Sequence, residues 1–388
     1  MLALELYTDP AETLGRLLER LLPALRPGAR VLVKPEWWAR DERRASENTS
    51  PEFLRALVAW LEGRGAKVSI AHSSLLTPPD VPYLSFSDLI KENGVNFLLE
   101  DHPHVGLIDL ETEPAELRRS GDVALLAPIT LREHDVFVAC VRPKTHMGTT
   151  VALGTKGLMG LLPDSENLRM HRDGLDELLG HLGRACAPTI TLVEGDIGME
   201  GDGPHHGDDV PLGWYLGGDD LLETDCAAAA LMGFAPEEVG HLAALARLSA
   251  RLVPALPTEL RPLVRKLRPS GAFLQHTRRV RVWPGDSCAT CHMAASSVQD
   301  LVRANPQRVG DVAALASMLY VKGFNIFMGH QSAPPPGGEA CVAVGDCTRE
   351  WAERYGVPRV GGCPVRVHEV GPALLTVLHR LNRGEESP

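Results

Sequence analysis

The chain predicts an α/β protein with a parallel or mixed sheet in an N-terminal lobe and a second, smaller α/β lobe at the C-terminus carrying a metal cluster. Three observations predict it. Short β-branched runs alternate with amphipathic stretches over residues 1–240, the composition shifts to Leu, Ala, Arg and Pro over 241–278, and a new strand–helix alternation punctuated by cysteines fills 279–388. At 388 residues, two domains joined by a helical connector is the expected organisation.

The elements follow in order. Gly28-Ala-Arg-Val-Leu-Val-Lys-Pro reads as a buried strand. Pro51–Gly63 reads as a helix with Phe53, Leu54, Leu57, Val58 and Leu61 on one face, and Ala66-Lys-Val-Ser-Ile-Ala as the next strand. That βαβ unit calls for parallel pairing. Further strands are expected at Val123–Ala127, Val136–Cys140 and Thr189–Glu194. Helices are expected at Gly174–Cys186 and at Asp225–Met232, the latter begun by Thr224 or Asp225 and ended by Gly233. After the connector come strand Arg279–Trp283, a CxxC turn, helix Ala294–Arg303, strands Phe324–Met328 and Cys341–Val344, helix Arg349–Tyr355 and a last helix near Val370–Leu381. Ser332-Ala-Pro-Pro-Pro-Gly-Gly reads as a loop.

A composition of 44% hydrophobic and 23% charged residues fits a globular protein, and a net charge of −11 argues against a nucleic-acid partner. No basic leader precedes an apolar run and no apolar stretch is long enough to span a bilayer, so a cytoplasmic protein without membrane attachment is expected. Eight cysteines in such a chain point to metal binding rather than to disulfides.

Cys288 and Cys291 form a CxxC pair, while Cys347 and Cys363 each stand in a Gly- or Pro-bearing turn. Each site falls where an expected strand hands over to a helix, so three βα turns can converge on one sheet edge, where helix N-termini favour thiolates. Dispersed single cysteines suit a [4Fe–4S] cluster better than zinc, which usually takes two tight pairs; zinc remains the alternative. Cys288-Ala-Thr-Cys-His292 also matches a haem-attachment pattern, but that chemistry belongs outside the cytoplasm. Any single cysteine is more simply a small buried hydrophobe, the reading given to Cys140, Cys186, Cys226 and Cys341.

The second functional segment runs from Arg142 to Gly207. It is dense in polar residues and glycines and lies directly after expected strand ends, where open α/β sheets bind ligands. Of only seven lysines, Lys34, Lys144 and Lys156 fall in such motif-like stretches. With Arg169 and His171 they are the candidate substrate-binding set for a carboxylate or phosphate. His146, Asp196 and Glu200 are the candidate catalytic residues for proton handling. Each histidine alone could equally be a satisfied core or surface residue. Gly195, Gly198, Gly201 and Gly203 read as turn residues needing positive φ, and no Walker A loop or nucleophile elbow occurs.

Val31-Leu-Val-Lys34-Pro35, Thr49-Ser-Pro, Pro143-Lys-Thr-His followed by Lys156, His171, Glu194-Gly-Asp through Met199-Glu-Gly-Asp-Gly-Pro204, and Asp225 leading to Leu231-Met-Gly-Phe occur in that order. In these motifs, over about residues 28–240, the chain resembles the bacterial and archaeal proteins grouped as domain of unknown function 362. The family's Lys-Pro-Asn is here Lys34-Pro35-Glu36, and the cysteines are dispersed rather than gathered in a ferredoxin module. The resemblance implies an association with iron–sulfur centres and no particular reaction.

The expectation is therefore an iron–sulfur protein whose cluster faces the Lys144–Pro204 pocket, acting as a redox or lyase-type enzyme on a small anionic substrate. A ferredoxin-like electron donor is the expected protein partner, with homodimerisation left open. A non-catalytic electron-transfer or maturation protein and a zinc-stapled binding protein are the alternatives.

Overall fold

Val31, Leu32 and Val33 are all fully buried, which is what a strand covered on both faces requires. They form β2 (Arg30–Lys34), paired in parallel with β3 (Lys67–His72) through the crossover helix α2 (Pro51–Gly63). Helix α2 begins where it does because Ser50 caps it, accepting the Phe53 N–H, and Pro51 occupies the first turn. The five apolar residues expected on one face are all fully buried, together stabilising the fold by roughly 10 kcal/mol.

The computed structural model describes residues 1–38, 45–73, 85–204, 206–270, 280–283, 324–337, 340–363 and 365. The chain divides into two units. The first comprises Met1–Thr77, Val81–Met170 and Gly174–Ser270, and the second Pro78–Asp80, His171–Asp173 and Gly271–Pro388.

The first unit is built on a mixed sheet. From β1 (Leu2–Leu6) the order passes through β11 (His206–Gly218), β10 (Ile190–Asp202), β7 (Val136–Val141), β2 and β3 to β4 (Gly106–Asp109). Strands β10, β7, β2, β3 and β4 run parallel, whereas β11 is antiparallel to both its neighbours. A short strap, β8 (Lys144–His146) and β9 (Thr150–Ala152), attaches to β10 at Met199. A separate hairpin joins β5 (Ala115–Ser120) to β6 (Val123–Pro128). Helix α8 (Leu175–Ala185) packs on α10 (Gly240–Leu248), the start of the stretch read from sequence as a connector.

Three local readings need correction. Strand Thr189–Glu194 does not stop at Glu194 but continues to Asp202 and folds back as β11, so the glycine-rich run is a long hairpin. Of its four glycines only Gly201 has positive φ. Gly198 and Gly203 are needed for close approach instead: a Cβ would lie 2.9 Å from the Pro143 carbonyl oxygen at Gly198 and 2.0 Å from that of Thr145 at Gly203. Helix α9 (Leu221–Leu231) starts a turn earlier than expected because Asp220, not Thr224 or Asp225, accepts the Glu223 N–H as its cap.

The second unit holds a four-stranded, all-parallel sheet in the order β12 (Val280–Trp283), β13 (Phe324–Met328), β14 (Ala340–Val344), β15 (Arg359–Val360). Helix α11 (Arg349–Tyr355) supplies Trp351 and Ala352 to a small core with Phe327, Cys341, Ala343 and Val357. The expected helices Ala294–Arg303 and Val370–Leu381 lie outside the described residues. Among the described residues no helix is long and apolar enough to cross a membrane.

Candidate functional site

Lys34 is the last residue of β2, Lys144 opens β8 and Lys156 lies in a one-turn helix, α6 (Gly154–Gly157). The first two are almost wholly inside the protein, at 2% and 1% exposure. Lys144 Nζ lies 2.6 Å from Glu36 Oε2, while Lys34 Nζ donates to the Pro35 carbonyl at 2.9 Å. Burial pushes Lys34 down to about 8, against the pull of Glu36, with the Lys144 and Lys156 charges adding to the depression. Lys156 keeps some surface, yet the protein packed around it also pushes it down to about 8, again with Glu36 pulling up and Lys144 pushing down. Three lysines thus share the field of one carboxylate.

The surrounding motif residues hold this group in place. Glu36 and Thr49 are locked reciprocally, the Glu36 N–H donating to Thr49 Oγ1 at 2.9 Å and the Thr49 N–H to the Glu36 carbonyl at 2.9 Å. Asp225, on α9, accepts the Gly154 and Thr155 N–H groups at 2.9 and 2.6 Å and so fixes the turn that carries Lys156. At Gly160 the missing side chain matters, since a Cβ would stand 2.7 Å from Lys34 Nζ and 2.8 Å from His72 Nε2. His72 Nδ1 donates to the Ser73 carbonyl at 2.5 Å; burial and the Lys34 charge push it well below its ordinary value, so it is neutral near pH 7.

A second polar group lies along β10. The Arg142 guanidinium donates to Glu194 at 2.5 Å and to Asp196 at 3.1 Å, while its backbone N–H donates to Glu36 Oε2 at 2.9 Å. Glu194 also accepts the Ser50 N–H at 3.0 Å and the Ser50 hydroxyl. Burial pushes the Glu194 carboxyl up to about 7 despite the opposing Arg142 charge. Arg142, Asp196, Ser50, Tyr7 and Tyr215 line a cavity of about 260 Å³ that includes none of the three lysines.

The expected site residues therefore separate. The structure brings Lys34, Lys144 and Lys156 together and puts Asp196 on the cavity wall. Buried His146 accepts the Gly148 N–H at 3.0 Å through Nδ1. Glu200 is engaged by Arg268, whose Nε donates at 3.0 Å and whose backbone N–H donates at 3.1 Å. Arg169 holds Glu166 and donates to the Ala124 carbonyl at 3.1 Å. His171 stands in the last turn of α7 (Asp164–Asp173), in the stretch assigned to the second unit. Arg142, Glu194 and Ser50 are not put forward as site residues by the sequence, and Glu36 stands out there only as a departure from the family's asparagine, although Glu194 and Ser50 sit inside the quoted motifs and Arg142 opens the polar segment.

Cys140, Cys186, Cys226 and Cys341 are buried as expected, whereas Cys347 is partly exposed and Cys363 exposed. The turns carrying these last two are joined: the Asp346 N–H donates to the Gly362 carbonyl at 3.0 Å, and the Gly362 N–H to Asp346 Oδ1 at 3.1 Å. That bond, with Arg349 and Arg359 beside it, holds the Asp346 carboxyl down to about 2. Both turns follow the C-terminal ends of parallel strands, β14 and β15. Cys288 and Cys291 lie outside the described residues, and among the described residues no three His, Cys, Asp or Glu side chains gather as a metal site.

The model of the family described as domain of unknown function (DUF362) matches residues 31–230. The Synechocystis protein called thylakoid-associated protein sll1697 is 25% identical over 236 residues, 58% of this chain and 69% of that protein. Among solved structures, the lactate racemase apoprotein from Thermoanaerobacterium thermosaccharolyticum aligns over 97% of this chain and 81% of its own, at 12% identity and a TM-score of 0.42. A putative Zn-dependent alcohol dehydrogenase from Rhodobacter sphaeroides aligns over 67% of this chain and 75% of its own, at 13% identity and a TM-score of 0.22.

Proposed function

The chain belongs to the DUF362 family, and from that premise we propose that it is an iron–sulfur enzyme of redox or lyase type that binds a small anion at Lys34, Lys144 and Lys156. The observation that carries the reading is the crowding of positive charge around one shared carboxylate: buried Lys34 and Lys144, partly exposed Lys156, and no hydrogen bond or ion pair from Lys156 among the described residues. Burying uncompensated charge costs several kcal/mol per ion, and a bound anion relieves that cost. The site also stands beyond the C-terminal ends of parallel strands, where α/β sheets place their ligands. Lysines near pKa 8 can both hold an anion and exchange protons close to neutral pH.

The thiols fit a [4Fe–4S] cluster as its ligands. Two of the four candidates are accessible and lie in hydrogen-bonded neighbouring turns. Cys288 and Cys291, the other two candidates, lie outside the described residues and follow strand β12 in sequence. When bound, such a cluster supplies one-electron chemistry with four thiolate ligands, or a Lewis acid with three.

Anaerobic purification tests both halves. The reading expects a brown protein with roughly four irons and four sulfides per chain and saturable anion binding that Lys144→Met abolishes. A colourless protein holding a single zinc contradicts the cluster, and anion binding indifferent to Lys144→Met contradicts the site.

A further inference from the structure

The cavity beside Arg142 contains none of the three lysines, and we infer that it is a second ligand site, one that takes a neutral polyol of monosaccharide size. Its volume of about 260 Å³ lies just below the roughly 300–1,000 Å³ of sites for drug-sized ligands and suits a smaller molecule. The start of helix α2 forms part of its wall, at Ser50 and Pro51, and Arg142, Asp196, Tyr7 and Tyr215 form another part.

That wall is short of hydrogen-bond partners. Tyr215, Arg142 and Asn48, all of which line the cavity, are 1%, 2% and 6% exposed. The Tyr215 hydroxyl, Arg142 Nε and Asn48 Oδ1 each lack a partner among the described residues, and leaving buried polar groups unpaired is costly. Their other polar atoms are engaged: Arg142 through both terminal nitrogens with Asp196 and Glu194, and Asn48 through Nδ2 with the Trp38 carbonyl at 2.9 Å and Asn93 Oδ1 at 2.8 Å.

The kinds of atom left over select the ligand chemistry. The Arg142 Nε–H only donates, Asn48 Oδ1 only accepts, and the Tyr215 hydroxyl does both. A carboxylate ligand only accepts and an ammonium only donates, so either leaves part of the set unmet, whereas neighbouring hydroxyls meet all of it. The anion position at the N-terminus of α2 is moreover filled from within, because Glu194 accepts the Ser50 N–H and hydroxyl. The Tyr7 and Tyr215 rings, with centroids 5.4 Å apart, add an apolar surface on which the C–H face of a sugar ring can pack. Water offers the same hydrogen bonds but nothing to the rings.

Calorimetric titration of the full chain at pH 7 tests this with D-glucose, D-galactose, D-ribose and myo-inositol as polyols, and with choline and acetate as ionic probes. At least one polyol should bind with a Kd of about 1 mM or tighter, and neither choline nor acetate should displace it. Tyr215→Phe keeps the ring and removes only the unpartnered hydroxyl. It should weaken the polyol about three- to tenfold while the melting temperature of the ligand-free protein holds or rises, which a merely structural hydroxyl would not allow. Tyr7→Ala, at the more exposed of the two rings, should weaken the polyol as well. Neither variant touches the lysines, so this test is separate from that of the anion site. A polyol bound equally by wild type and both variants overturns the site. Absence of binding by every polyol, or choline or acetate binding that Tyr215→Phe removes, overturns the polyol assignment.

Discussion

Glu36 Oε2 stands 2.6 Å from Lys144 Nζ and also accepts the Arg142 backbone N–H at 2.9 Å, so a single oxygen ties the end of β2 to the segment leaving β7. Where the resembled family carries asparagine, this chain has a full negative charge set among three lysines. Glu36→Gln keeps the size and an acceptor for Arg142 but leaves Lys144 buried without a counter-charge. The substitution should cost about 1–3 kcal/mol in urea unfolding, and saturating malonate should recover most of it. A loss below about 0.5 kcal/mol would mean that the ion pair contributes nothing.

Lys34 gives stability a pH dependence of predictable sign. Its folded pKa, near 8, is lower than in the unfolded chain. Below pH 8 both states are protonated and the folded state bears the whole cost of the buried charge. Between about 8 and 10.5 the folded state releases its proton first, so this group's contribution rises with pH, by on the order of 3 kcal/mol at full effect. Lys34→Met should therefore stabilise the anion-free protein at pH 7 and much less at pH 10. Equal effects at both pH values in denaturant titrations would show that Lys34 is not held at a depressed pKa.

Ser50 links secondary structure to the polar group on β10. Its hydroxyl accepts the Phe53 N–H to cap α2 and donates to Glu194. Ser50→Ala removes a cap, about 1 kcal/mol, and takes one donor from a buried carboxylate, another 1–3 kcal/mol. Unfolding experiments should give a total near 2–4 kcal/mol, whereas a cost below 1 kcal/mol would mean that water replaces the hydroxyl. The loss should be smaller at pH 5 than at pH 8, because a protonated Glu194 needs fewer donors.

Exposure should sort the cysteines. Cys347→Ser and Cys363→Ser, in the joined turns of the second unit, should each lower iron per chain by at least about half after anaerobic preparation. Cys186→Ser, buried in the first unit, should leave iron unchanged. Full iron in both turn variants would remove these cysteines from the ligand set.

Much of the fold is legible in the sequence because its apolar residues keep a clean period. The β2–α2–β3 unit, the strand at Val136 and the parallel strands of the second unit follow from β-branched runs and one apolar helix face. Strand β11 escapes because Gly207, Gly213, Gly217 and Gly218, with Asp208 and Asp209, resemble loop composition. Gly213 takes positive φ, while Gly207, Gly217 and Gly218 leave room for neighbouring atoms, as where a Cβ at Gly217 would stand 2.6 Å from Leu21. The lysine group was legible from residue type and position. Glu36 was not, because one carboxylate beside two tryptophans shows nothing of a partner 108 positions away. Glu200 and Arg169 could not be told from site residues, since their partners, Arg268 and Glu166, become apparent only on folding.

The central claim is that the lysines hold an anion, and equilibrium dialysis of radiolabelled phosphate against the full chain at pH 7 tests it most directly. Wild-type protein should bind about one phosphate per chain. Lys144→Met should weaken binding at least about tenfold, whereas Arg169→Ala, which alters a structural ion pair, should leave it unchanged. Equal phosphate binding by wild type and Lys144→Met would contradict the account.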